Sequence, residues 1–101
     1  MFEGNTANLQ MLNPLIVDAK LEKTVYRCKV LKYEEGSEEI YLSLENGVLQ
    51  NILLDAVYEC RIAAQPEGVA CKGIIKERCL NEQGSILHLK IEAGFYEINI
   101  K

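Results

Sequence analysis

The side chains that could carry chemistry are few and scattered. His88 is the single histidine, and imidazole is the group best suited to proton transfer near neutral pH. On a strand it falls in the exposed row between Leu87 and Leu89, so a surface imidazole is expected rather than a general base. Ser37, Ser43 and Ser85 lie in turn or strand settings, and none occupies a Gly-x-Ser-x-Gly elbow of the kind that presents a nucleophilic hydroxyl. Cys28, Cys60, Cys71 and Cys79 are widely spaced and include no Cys-x-x-Cys pair, so they lack the close ligand pairs of a zinc site. They read as small apolar strand residues. Glu34, Glu35, Glu38 and Glu39 crowd one short stretch, but without the alternating carboxylates and terminal glutamate of a calcium loop. A solvated turn is the expected role. No glycine-rich loop leads into a phosphate-binding lysine. No catalytic group, cofactor or metal is therefore expected.

Lys72, Lys76 and Arg78 form the one local basic stripe. At strand spacing all three can project from one face and hold a phosphate or an acidic partner. Glu59 and Glu77 lie near enough in sequence order to neutralise part of that charge, so a solvated sheet face with partner contact as its candidate role is the reading.

The elements that must position these residues are strands. Residues 56–79 alternate apolar and polar side chains on two arms, the period of a half-buried strand. Tyr58, Cys60 and Ile62 form the apolar row of the first arm, and Val69, Cys71, Gly73 and Ile75 that of the second. Ile74 interrupts the wet row, which implies a closed or doubly packed sheet. Pro66 and Gly68 suit the reversal between the arms.

Before this hairpin, residues 1–13 are expected to be irregular or to form one short helical turn bearing Leu9, Met11 and Leu12, with the ordered domain spanning 14–101. Leu15–Glu22 alternates as a strand, the preferred reading, although Pro14 would also suit the first position of a helix capped by Asn13; Thr24–Tyr33 alternates as a second strand, and Gly36 offers an easy positive φ in the acidic turn after them. Ile40, Leu42 and Leu44 alternate next, and Asn46-Gly47 ends that strand. Val48–Leu54 is too short and too apolar to classify by period and is expected to lie against a barrel end. Asn81–Gly84 makes a further turn. Ser85–Glu92 and Phe95–Lys101 then read as two strands, separated by a turn at Ala93-Gly94. Six or seven short strands with turns about every ten residues predict an all-β fold, a small antiparallel split barrel whose edges are satisfied by closure.

Composition bounds the function classes. At 101 residues the chain is one domain by size. A net charge of −4 provides no positive field to attract nucleic acid or an anionic membrane surface. No apolar run approaches bilayer length and the N-terminus lacks signal-peptide character. A cytoplasmic protein is expected, without nucleic-acid partner or membrane insertion; no secretion signal places it in an oxidising compartment, and the sequence leaves a disulfide open.

With the strands placed, Tyr26–Leu31, Ile40–Leu42, Ala56–Ile62, Gly73–Arg78 and Gly94–Ile98 together resemble the N-terminal domain of bacterial PilZ-type flagellar-brake proteins. That domain is a split β-barrel preceding a PilZ domain that binds cyclic di-GMP. The resemblance spans about Pro14 to Lys101 and lies in strand rhythm rather than in a rigid motif. It implies a non-enzymatic regulatory domain in motility or envelope signalling, partnered by a following PilZ domain or another protein. The family grips the nucleotide with an Arg-x-x-x-Arg segment and an Asp/Asn-x-Ser-x-x-Gly segment. Neither is present here, since Arg27, Arg61 and Arg78 have no arginine four residues on. The nucleotide site is accordingly expected beyond Lys101. Two alternatives have the same architecture: a flavin-type or other small-molecule-binding split barrel, which would draw on Lys72, Lys76 and Arg78, and a plain oligomerisation module.

Overall fold

The computed structural model describes residues 2–12, 25–46, 52–63, 68–82 and 84–98. Six strands run through them: β1 (Thr6–Met11), β2 (Val25–Glu34), β3 (Glu39–Leu44), β4 (Val57–Ile62), β5 (Gly68–Asn81) and β6 (Gly84–Ile98). Neighbouring strands are antiparallel in the order β1-β2-β3-β6-β5-β4, and β4 pairs back onto β1 to close the barrel. The all-β expectation holds, with six strands among the described residues. Two three-stranded meanders, β1–β3 and β4–β6, are thus joined along the β3/β6 and β1/β4 seams. Among the described residues no helix is long and apolar enough to cross a membrane.

Alternation sorts the side chains into an inner and an outer row. Leu9, Tyr26, Cys28, Ile40, Leu42, Tyr58, Cys60, Ile62, Cys71, Ile75, Leu87 and Leu89 all point inward and are buried. Among the described residues no polar or charged side chain is buried with them, so the interior is a packed apolar core. Rings close one end: Phe2, Tyr33 and Phe95 meet with centroids 5.1 to 5.6 Å apart. At the opposite end the residues from Ile52 to the start of β4 lie over the barrel, while residues 48–51 of the apolar run expected there lie outside the described residues. Ile52 is fully buried there, and the Leu53 amide donates to the Tyr58 hydroxyl at 3.0 Å.

The structure departs from the sequence reading in three places. Residues 6–11 are neither irregular nor helical but a wall strand, with Ala7, Leu9 and Met11 buried and Thr6, Asn8 and Gln10 exposed. Pairing with both β2 and β4 overrides the weak local preference of this polar stretch. The wall therefore includes residues before Pro14. Ala93-Gly94 is not a turn, because β6 runs unbroken from Gly84 to Ile98. Its register against β5 slips instead, from Ala70 opposite Tyr96 to Lys72 opposite Ala93 and then Gly73 opposite Ile91. Such bulges bend a strand without reversing it. In the acidic turn the positive φ falls on Glu38, at 55°, and not on Gly36. The strand read over Leu15–Glu22 and the reversal at Pro66 lie outside the described residues.

Candidate functional site

The densest polar arrangement lies on the outer face of β3 and β6. The Ile91 amide donates to the Glu38 carbonyl, which makes Tyr41 and His88 a directly opposed pair without mutual backbone hydrogen bonds, the closer kind of cross-strand pair. Their rings stack 4.6 Å apart at 9°. His88 Nε2 lies 2.9 Å from Glu39 Oε1, while the Ser37 hydroxyl donates to Glu39 Oε2 at 2.8 Å. The Lys90 ammonium donates to the Ser37 carbonyl. The Ser37 hydroxyl holds the Glu39 carboxyl below its ordinary range, assisted by the hydrogen bond and charge of His88 and by Lys90. His88 is on the outer row, as its position predicts, but half-covered by these neighbours.

The order of this chain matters chemically. Nucleophilic catalysis places the imidazole on the hydroxyl and the carboxylate behind the imidazole. Here the carboxylate stands in the middle, and both of its oxygens are engaged. The arrangement braces the β2–β3 turn against β6. Among the described residues no cluster of histidine, cysteine and carboxylate side chains is arranged to hold a metal.

The basic stripe does not form a single face. Lys72 stands outward opposite Glu59, and Lys76 Nζ lies 3.8 Å from Asp55 Oδ1 in an exposed pair. Between Ile75 and Glu77 the register against β6 slips by one residue, which brings Arg78 opposite Leu87, a member of the inner row. Directly opposed residues share a face, so Arg78 is carried to the barrel's end, where its guanidinium donates to the Ile52 carbonyl. Lys72 and Lys76 remain as outward cations, whereas Arg78 serves the end closure.

A shallow groove of about 240 Å³ crosses the outer face of β1, β2 and β4 and is lined by Asn8, Gln10, Val25, Glu59 and Arg61. Arg61 Nε pairs with Glu59 Oε1 at 2.6 Å, so the charges lining it are internally matched. The sequence reading missed this groove because it did not recognise β1 as a strand and so could not set Asn8 and Gln10 beside Glu59 and Arg61. Alternation over residues 6–11 was the available signal.

Three of the four cysteines line the interior as free thiols, while Cys79 is exposed. Burial first, and the charge of Glu45 second, push the Cys28 thiol up to about 12. Cys60 stands directly opposite Cys71, and a hydrogen bond with Cys71, followed by burial, raises its thiol well above the ordinary value. A scan against protein-family models, a search of curated proteins and a search of solved structures each returned no match to this chain.

Proposed function

We propose that the chain is a non-enzymatic regulatory barrel that accompanies a PilZ domain in motility or envelope signalling and works through its outer surface. One observation supports this above others. The interior is filled by apolar side chains, so a ligand or partner must meet the barrel from outside. The segments that carry the family resemblance, Tyr26–Leu31, Ile40–Leu42, Ala56–Ile62, Gly73–Arg78 and Gly94–Ile98, fall within wall strands except for Ala56, which immediately precedes β4. Lys72 and Lys76 are exposed cations of β5 available to an acidic partner surface, and Lys76 makes a long, solvent-exposed pair with Asp55.

Calorimetric titration of cyclic di-GMP tests the reading, using this chain and a version extended through the residues encoded after Lys101. Binding by the extended version alone agrees with the proposal. Tight binding by the 101-residue chain would overturn it, because none of its residues matches the nucleotide-gripping segments. Silence from both would remove the PilZ partnership.

A further inference from the structure

We propose that Cys60 and Cys71 are a dithiol that hydroperoxides oxidise to a disulfide stapling β4 to β5. The inference rests on the geometry of the barrel wall and is independent of the partner the domain serves.

The backbone sets the geometry. Leu12 N–H donates to the Val57 carbonyl and Ala63 N–H to the Thr6 carbonyl, so Val57, Glu59, Arg61 and Ala63 direct their backbone groups toward β1. Alternation then directs Tyr58, Cys60 and Ile62 toward β5. Cys60 and Cys71, opposite one another in that register, therefore form a hydrogen-bonded pair. The Cα atoms of such a pair lie about 5.5 Å apart, within the span of about 4.4–6.8 Å that disulfides bridge, and its Cβ atoms, also about 5.5 Å apart, must draw in to about 4 Å as the bond forms. Both side chains are fully buried on the same inner face.

The other cysteines are poorly placed to compete. Cys28 is on β2, with β1 between it and β4, a separation of about 9 Å at two strand spacings. Its thiol is directed to the Tyr26 carbonyl. Cys79 lies farther along β5 and is exposed, roughly 25 Å from Cys71 at the rise of a strand. The geometry thus selects one pairing.

The chemistry balances with hydrogen peroxide, the simplest hydroperoxide, as the two-electron oxidant. One thiol loses its proton, and the thiolate attacks a peroxide oxygen. The O–O bond breaks, an S–O bond forms, and the departing hydroxide takes the released proton as water. The second thiol attacks the resulting sulfenic sulfur. The S–S bond forms as the S–O bond breaks, and the leaving hydroxide takes the second thiol's proton. Two sulfurs are oxidised and one peroxide becomes two waters. Because thiolate is the nucleophile and Cys60 is held protonated by its partner and by burial, the reaction proceeds through local opening of the wall. It is slow compared with oxidation of an exposed thiol.

The test uses the folded 101-residue chain carrying Cys79→Ser, treated with hydrogen peroxide, then denatured, alkylated and digested with trypsin. Cleavage after Lys32, Arg61 and Lys72 leaves Cys60 and Cys71 on separate peptides, Tyr33–Arg61 and Ile62–Lys72. The expected result is a cross-link between these two peptides, released by dithiothreitol, with titratable thiols falling from three to one. Recovery of both peptides as alkylated monomers, at doses that oxidise the methionines, overturns the proposal. A cross-link to Cys28 also overturns it, as does the same distribution of pairings from a sample treated in guanidinium chloride, since the folded register would then have selected nothing.

Discussion

Tyr58 and Gly73 face each other across β4 and β5 on the inner side of the barrel, the bulkiest fully buried side chain opposite a residue that has none. A Cβ on Gly73 would lie 2.5 Å from the Lys90 carbonyl oxygen and 3.0 Å from Leu89 Cγ. The first of these contacts is β6 backbone, which cannot swing aside. Gly73→Ala is therefore expected to destabilise the fold by about 1–3 kcal/mol, as overpacking does. Urea unfolding reads this as a lower midpoint at constant slope, and a midpoint equal to that of the parent would show that β6 yields at its bulges.

The Tyr58 hydroxyl links the core to the end closure by accepting the Leu53 amide. Tyr58→Phe keeps the ring and loses that acceptor. A cost of about 0.5–1.5 kcal/mol is expected, with faster amide hydrogen exchange at Leu53 and Asp55 than in the wall strands. Uniform acceleration across all strands would contradict a local role.

The two ends of the basic stripe should behave differently. Arg78→Gln removes the guanidinium that reaches the Ile52 carbonyl and is expected to cost about 1–2 kcal/mol of stability. Lys72→Gln touches an exposed position opposite Glu59 and should change stability by less than about 0.5 kcal/mol. If Lys72 and Lys76 contact a partner, Lys72→Glu with Lys76→Glu should weaken that complex in a pull-down with the extended protein while leaving the thermal midpoint near that of the parent.

Glu38 occupies the left-handed region at φ 55°, in an exposed turn. A side chain there costs roughly 1 kcal/mol relative to glycine. Glu38→Gly is accordingly expected to raise the thermal midpoint slightly, with part of the gain offset by the greater freedom of glycine in the unfolded chain. A lowered midpoint would assign Glu38 a contribution beyond its backbone angle.

Alkaline pH should loosen the barrel. Burial and Glu45 push Cys28 from the ordinary 9.0 to about 12. A group that retains its proton longer when folded contributes fully below its unfolded value, and that contribution is lost as pH rises through the folded one. Cys60 moves in the same direction, as do Tyr33 and Tyr58, both raised chiefly by burial. Each thiol steepens the loss by up to about 1.4 kcal/mol per pH unit. Urea midpoints measured between about pH 8 and pH 11 should therefore fall, and fall less steeply in Cys28→Ala. An equal slope in that variant would remove Cys28 from the account.

The sequence by itself determined which side of each well-patterned strand faces the core. Tyr58, Cys60 and Ile62, or Leu87 and Leu89, are inward because covalent geometry alternates side chains along any extended chain, and only their apolar character is needed to say which row is buried. The all-β class and the turn at Asn81–Gly84 follow from the same local rules. What only the tertiary structure decided are the features set by a neighbouring strand. Residues 6–11 carry a polar row that a helical turn could equally use, and they become a strand because β2 and β4 both require a partner for their backbone groups. Ala93-Gly94 has the composition of a turn, yet β5 continues beside it and its pairing turns the irregularity into bulges. The candidate faces depend on these long-range choices. A one-residue slip against β6 removes Arg78 from the row of Lys72 and Lys76, and the β3/β6 register stacks Tyr41 on His88. Strand register is a property of pairs, and no single segment encodes its partner's phase.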